Sequence, residues 1–392
     1  MRKCLSVRVV SLLTLGMALG SWVGLERGHA EEARGDAVDS RMAEFVEAGK
    51  ASGVVTLVAR DGEVVHCGAV GFADLEDQRP MTTDTLFAIA SMTKPITATA
   101  LMMLVDEGKV SLDDDASKYI PELGESRLAS GPPHRPITVR DLLTHTSGVA
   151  GSQRNQGTLA ETAIAVAARP LAFEPGAKWQ YSPGISLCGR IIEVASGMPY
   201  ETFLAVRLFE PLGMEDTTFF PNAEQQKRIA RLYEPGEGDA KLARADHWLN
   251  ELSPGRTANP SGGLFSTADD LFRFYKFVLE AREKSAESRV RQLLSRKAAR
   301  QMTRIQTGDL VTGFTPGNGW GLGWCVLREP QGVTQMLSPG TFGHGGAFGT
   351  QGWVDPKTRT IYVLLIQRTK FGNSDGSEIR AAFQQAAVDT LP

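Results

Sequence analysis

"GVVTLVARDGEVVHCGAVGFAD" (Gly53–Asp74) holds two β-branched runs that meet at Asp61-Gly62. An Asp-Gly junction between such runs is a strong hairpin signal, because the tight primed turns that match strand twist need positive φ. Towards the other end, "GTQGWVDPKTRTIYVLLIQR" (Gly349–Arg368) is a second strand–turn–strand unit, turning around Asp355-Pro356. "GWGLGWCVLRE" (Gly319–Glu329) supplies one more strand before it. Strands thus come from both ends of the chain, and one antiparallel sheet assembled from the two termini is the economical arrangement.

Helical patterns fill much of the remainder. "DSRMAEFVEAGKA" precedes the first hairpin and "SEIRAAFQQAAVDTL" closes the chain. In the middle, "STADDLFRFYKFVLEAREK" carries Thr267 and Asp270 at capping-box spacing, and "ITVRDLLTHTSG", "LCGRIIEVASG" and "SRKAARQMTRIQ" read as short helices. The stretches near Gly131 and Gly151 and from Glu234 to Gly255 are rich in Gly, Pro, Ser and charge, and read as long loops able to line a cleft. The expected fold is α/β (α+β): a sheet flanked by helices in a lobe over about 36–115 and 310–392, with a mostly helical lobe inserted over about 116–309. There is no internal repeat.

The 392 residues carry 42 Lys+Arg against 45 Asp+Glu, a formal charge of −3 that gives no electrostatic reason to expect nucleic acid or an anionic membrane surface. Residues 1–30 combine a basic start (Arg2, Lys3), an apolar stretch and small residues at Gly28 and Ala30. That order is expected of a secretory signal cleaved after Ala30, leaving residues 31–392 as an exported periplasmic or secreted protein with no further membrane span. An uncleaved anchor is the other reading, the apolar run of roughly 17 residues being at the short edge of what spans a bilayer. Cys4 lies in this leader. Cys67, Cys188 and Cys325 remain, an odd set without CxxC spacing, for which a disulfide framework is not expected. One bridge between two of the three stays open.

Ser91 and Lys94 open the apolar segment "SMTKPITATALMMLVDEGK". Residues at i and i+3 of a helix share a face, so hydroxyl and amine can meet, and Pro95 is tolerated in a first turn. One reading makes Ser91 a helix cap and Lys94 a solvated first-turn residue. The other makes Ser91 a nucleophile helped by the positive end of the helix dipole and by a Lys94 that loses its charge. Two later stretches bear on the choice: "KWQYSPGIS", with Tyr181-Ser182 ahead of a helix, and "FGHGGAFGTQ", with His344-Gly345-Gly346 on a glycine-rich approach to a strand.

Taken in order, Ser91-x-x-Lys94, Tyr181-Ser182 and His344-Gly345-Gly346 resemble the three motifs of serine β-lactamases and penicillin-binding proteins. The likeness is to the class C-like branch, which includes D-aminopeptidases, D,D-carboxypeptidases and family VIII carboxylesterases. "LLTHTSGV", "LFEPLGMEDTTF" and "SGGLFSTADDL" are similar to that branch's connecting segments, so the resemblance spans nearly the whole chain after the leader. It implies that Ser91 becomes acylated, Lys94 helps deprotonate it, and Tyr181 moves protons on attack and to the leaving group. It further implies that His344 positions Tyr181 or a substrate carboxylate, that the Ser91 and Ala347 amides form the oxyanion hole, and that Ser182, Gly345 and Gly346 meet substrate.

One departure stands out. The middle motif usually continues Tyr-x-Asn, and here the third position is Pro183, which offers no side-chain donor and no amide. That favours a small-molecule ester substrate over β-lactams or D-amino-acid peptides, which remain the alternative. A non-catalytic binder on the same fold is a further class, against which the complete set of Ser91, Lys94, Tyr181 and His344 argues. No HExxH, paired CxxC or carboxylate–histidine cluster points to a metal, no cofactor is expected, and no GxSxG elbow is present. His145 in "LLTHTSG" reads as structural.

Overall fold

The computed structural model describes residues 37–237, 241–283, 292–313, 315–371 and 377–391; the leader expected over residues 1–30 lies outside them. The first hairpin pairs Gly53–Arg60 (β1) with Glu63–Asp74 (β2). Its turn residues Asp61 and Gly62 both have positive φ, 53° and 84°, as a primed turn demands. Arg79–Pro80 (β3) follows, and after a long, mainly helical stretch come Asn318–Trp320 (β4), Cys325–Leu327 (β5), Phe342–Gly345 (β6), Gln351–Asp355 (β7) and Thr360–Leu365 (β8). These eight form one sheet in the order β3-β2-β1-β8-β7-β6-β5-β4, antiparallel at every pair. The N-terminal hairpin and the C-terminal strands therefore join directly, Val55 facing Leu365 and Arg60 facing Thr360.

Side chains alternate across a strand, so the unbroken apolar runs of β1 and β8 serve two cores. Val55, Leu57, Ile361, Val363 and Leu365 face one, shared with the helices Thr93–Asp106 (α2) and Ala268–Ala281. Val54, Val58, Tyr362, Leu364 and Ile366 face the other, covered by a helix over 37–47 (α1) and by the C-terminal helix Glu378–Thr390, through Val38, Met42, Phe383 and Ala387. α2 is buried from Thr93 to Leu104, since Gly184–Ser196 and other helices wrap the sides that the sheet leaves open.

Three expectations are revised. "GWGLGWCVLRE" forms two short strands, β4 and β5, because the chain reverses at Gly323 (φ 75°), where a Cβ would lie 2.3 Å from the Ala98 Cβ. The Thr267 hydroxyl accepts the Asp270 amide, but the Asp270 carboxylate turns to the Asp216 amide and the Thr217 hydroxyl, both 2.8 Å away, so that box is half made. Within Glu234–Gly255 a small ribbon pairs Tyr233–Pro235 with Leu242–Arg244. No disulfide joins any two of Cys67, Cys188 and Cys325. Among the described residues no helix is long and apolar enough to cross a membrane.

Candidate active site

Ser91 sits in the one-turn helix Ala90–Met92 that leads into α2. Met92 holds the cap position of α2 and makes no side-chain cap bond, so Ser91 is not serving as the helix cap. Ala90, just before it, has φ 46°, a left-handed conformation that costs a non-glycine residue about 1–2 kcal/mol and is found where a fold holds a reactive group in place.

Lys94 lies one turn on, fully buried, with Nζ 3.3 Å from Ser91 Oγ. Nζ also reaches Gln153 Oε1 at 2.8 Å and the Ser261 carbonyl at 2.6 Å. Burial pushes the lysine pKa well below its ordinary value. In the neutral amine the two N–H bonds serve those two carbonyl oxygens, and the lone pair is left facing the Ser91 hydroxyl. The Tyr181 ring centre is 4.6 Å from Nζ. Burial raises the Tyr181 pKa, and a hydrogen bond with Ser91 offsets part of that rise.

His344 arrives on β6, within the strand rather than ahead of it. Its Nδ1–H donates to the Gly345 carbonyl at 2.6 Å, which fixes the tautomer and leaves Nε2 unprotonated. Burial first, and the neighbouring Lys94 second, lower its pKa to about 3. The imidazole is neutral at ordinary pH and offers a substrate carboxylate no charge.

Gly346 follows, and a Cβ there would meet Ile89 O at 2.6 Å and Thr350 Oγ1 at 2.0 Å. The glycine is thus required by close approach to the segment bearing Ser91, more than by clearance for substrate. The atoms nearest to a Cβ at Gly345 would be those of the Arg380 guanidinium, at 3.3 Å. Arg380, 1% exposed on the C-terminal helix, ties this loop down by donating to the carbonyls of Gly346 (2.8 Å), Gly349 (3.1 Å) and Thr350 (2.7 Å).

Ser91, Tyr181, His344, Gly345, Gly346 and Ala347 line one cavity of about 310 Å³, closed by Trp320, Trp353, Cys325, Asn318 and Gly313. Three distant stretches of chain therefore converge on one hydroxyl. The Beta-lactamase family model matches residues 38–387. The chain belongs to that family.

Like its relatives of beta-lactamase fold, it is a serine hydrolase. Esterase EstB of Burkholderia gladioli is 32% identical over 359 residues, 83% of this chain and 88% of that protein. The D-alanyl-D-alanine-carboxypeptidase/endopeptidase AmpH of Escherichia coli (strain K12) is 27% identical over 361 residues, 87% of each. Among solved structures, EstCE1, described as a hydrolase with promiscuous acyltransferase activity, superposes with a TM-score of 0.77 over 92% of this chain and 99% of its own, at 24% identity. That likeness concerns the fold.

In this beta-lactamase-family chain Ser182 departs from expectation. Its hydroxyl turns to His145 Nδ1 at 3.3 Å instead of lining the cavity, because the peptide enters the helix Gly184–Ser196 immediately afterwards. Several contributors were not singled out from sequence. Gln153 lies in the Gly151 loop expected near the cleft, but nothing local marks its carboxamide as the Lys94 partner. Asn259 holds that loop by donating to the Gln153 carbonyl at 2.7 Å and accepting the Ser261 amide at 2.8 Å. Arg380 and Trp320 gave no signal beyond sitting in apolar surroundings.

Proposed function

We propose that this protein hydrolyses neutral carboxylic esters through an acyl-enzyme at Ser91. The observation that carries the reading is the charge of the cavity. Among the described residues lining it, none carries a positive charge once His344 is neutral, and Lys94 is sealed beneath Ser91. Penicillins, cephalosporins and peptides ending in D-alanine all bring a carboxylate, whose burial without a cation is costly. Neutral esters bring none, and Tyr181, Trp320 and Trp353 give an apolar acyl or alkyl group somewhere to pack. The Pro183 argument carries less weight, since Gln153 already brings a carboxamide to Lys94.

The proposed path begins with neutral Lys94 taking the Ser91 proton as Oγ attacks the ester carbon. The oxyanion forms against the amides of Ser91 and Ala347, each such donor being worth about 3–4 kcal/mol. Tyr181, held protonated by burial, gives its proton to the departing alkoxide and takes one back from the Lys94 ammonium, which returns to the neutral amine; water then cleaves the acyl-enzyme by the reverse relay. The Lys94 ammonium formed on the way sits against the Tyr181 ring face, which favours it.

The test compares p-nitrophenyl butyrate, a chromogenic cephalosporin and a D-alanyl-D-alanine peptide on wild type and Ser91→Ala. Ester turnover that vanishes in Ser91→Ala is expected, with at most slow turnover of the other two. A cephalosporin rate matching the ester rate would overturn the ester assignment. Export, proposed on the leader-like residues 1–30, is checked by fractionating cells that express the full chain; activity confined to the cytosol would reject it.

A further inference from the structure

Outside the roles assigned so far, the most constrained side chain at the site is His145. It is fully buried and ends the helix Val139–Thr144 with φ 59°, in the left-handed region where glycine or asparagine is cheaper. The segment that carries Tyr181 is attached to it on both sides of that residue. Its backbone carbonyl accepts the Gln180 amide at 2.9 Å. Its ring Nδ1 accepts the Ser182 amide at 3.2 Å. These are the residues immediately before and after Tyr181. The imidazole also packs on the Tyr181 ring, centroids 4.7 Å apart at 41°, and stands edge-on to Trp320 at 5.2 Å. An accepting Nδ1 places the ring proton on Nε2, and burial keeps the imidazole neutral.

We propose that His145 is a positioning residue for Tyr181: carbonyl and ring nitrogen grip the peptide units on either side of it, and the ring face supports the phenol, so that its hydroxyl stays at Ser91. A capping residue alone would need only the backbone conformation. The left-handed strain at a non-glycine residue, spent here on a ring that reaches both Ser182 and Tyr181, is explained by this task. The inference rests on the proton-donor role proposed for Tyr181.

That dependence supplies the test. A proton donor matters more for a poor leaving group, so the ratio of kcat/KM for ethyl butyrate to that for p-nitrophenyl butyrate reports on Tyr181 specifically, both substrates sharing one acyl-enzyme. His145→Gly relieves the backbone while removing ring and acceptor; His145→Asn tolerates the same φ and returns an acceptor near Nδ1. Active sites are counted with a covalent phosphonate, and thermal midpoints are recorded for each variant. His145→Gly is expected to lower the ratio about 10–100-fold, the scale of an ångström misplacement, and His145→Asn to recover most of it. In a Tyr181→Phe background His145→Gly should change the ratio no further. Equal losses on both esters, an unchanged ratio, or a full additional loss in the Tyr181→Phe background would overturn the inference. A Tyr181→Phe enzyme with an unaltered ratio would remove the proton-donor role itself, and this inference with it.

Discussion

Gly346 runs past Ile89 so closely that a β-carbon on it would lie 2.6 Å from the Ile89 carbonyl oxygen. The third-motif loop is thereby seated against the turn that carries Ser91, with the Thr350 hydroxyl donating to the same carbonyl at 3.4 Å. Gly346→Ala is predicted to push the loop away and displace the Ala347 amide. A fall in kcat/KM of about 10²–10³-fold, the range for losing one oxyanion donor, is expected on p-nitrophenyl butyrate. Retention of a tenth of wild-type activity would show that this contact does not set the hole.

Gln153→Glu would place a carboxylate 2.8 Å from Lys94 Nζ in place of a neutral oxygen. An adjacent anion favours the ammonium and raises the lysine pKa. Since the neutral amine is the form that accepts the Ser91 proton, the acid limb of the kcat/KM profile should move to higher pH. An unmoved limb would mean that Lys94 does not govern it.

Acid sensitivity has a traceable source. His66 is buried, with Nε2 2.8 Å from Thr56 Oγ1, and burial lowers its pKa from 6.5 to about 4. Between those values the unfolded chain binds more protons than the folded one, so this contribution is fully present above 6.5 and lost as pH falls through 4. His344, lowered to about 3, acts in the same direction. Asp270, raised to about 6 by burial, opposes it, but does so equally in wild type and variant. In urea unfolding at pH 7 and 4.5, His66→Gln should reduce the acid loss by on the order of 2 kcal/mol. Equal losses in both proteins would reject His66 as the source.

Two glycines separate backbone strain from collision. Gly323→Ala adds a Cβ 2.3 Å from the Ala98 Cβ on α2 at φ 75°, whereas Gly340→Ala, at φ 87°, meets nothing within 4 Å. Gly340→Ala should cost about 1–2 kcal/mol from strain alone, and Gly323→Ala about 1–3 kcal/mol beyond that from overpacking. Calorimetric midpoints that rank the two the other way would contradict the packing of β4 and β5 on α2.

What was legible in the sequence was local chemistry. Asp61-Gly62 specifies its own turn, and Ser91 and Lys94 share a helix face by spacing alone. The two-ended sheet followed from apolar runs at both termini. Other features depend on contacts between distant segments. Gly323 must lack a side chain because Ala98 on α2 occupies the place of its Cβ, and Gln153 meets Lys94 because Asn259 pins its loop. The Ser182 hydroxyl faces His145, and no neighbouring residue announces that. Arg380 bonds backbone carbonyls, which every residue possesses, so its partners leave no trace in composition.

The junction of β1 with β8 has a consequence for synthesis. A ribosome delivers Ser91 and Lys94 long before the strand carrying His344 and the helix carrying Arg380, and β1 pairs with β2 at once but lacks its second neighbour until β8 appears. Until those later segments have been made, a nascent polypeptide holds its nucleophile and amine but not the His344 strand that completes the cleft.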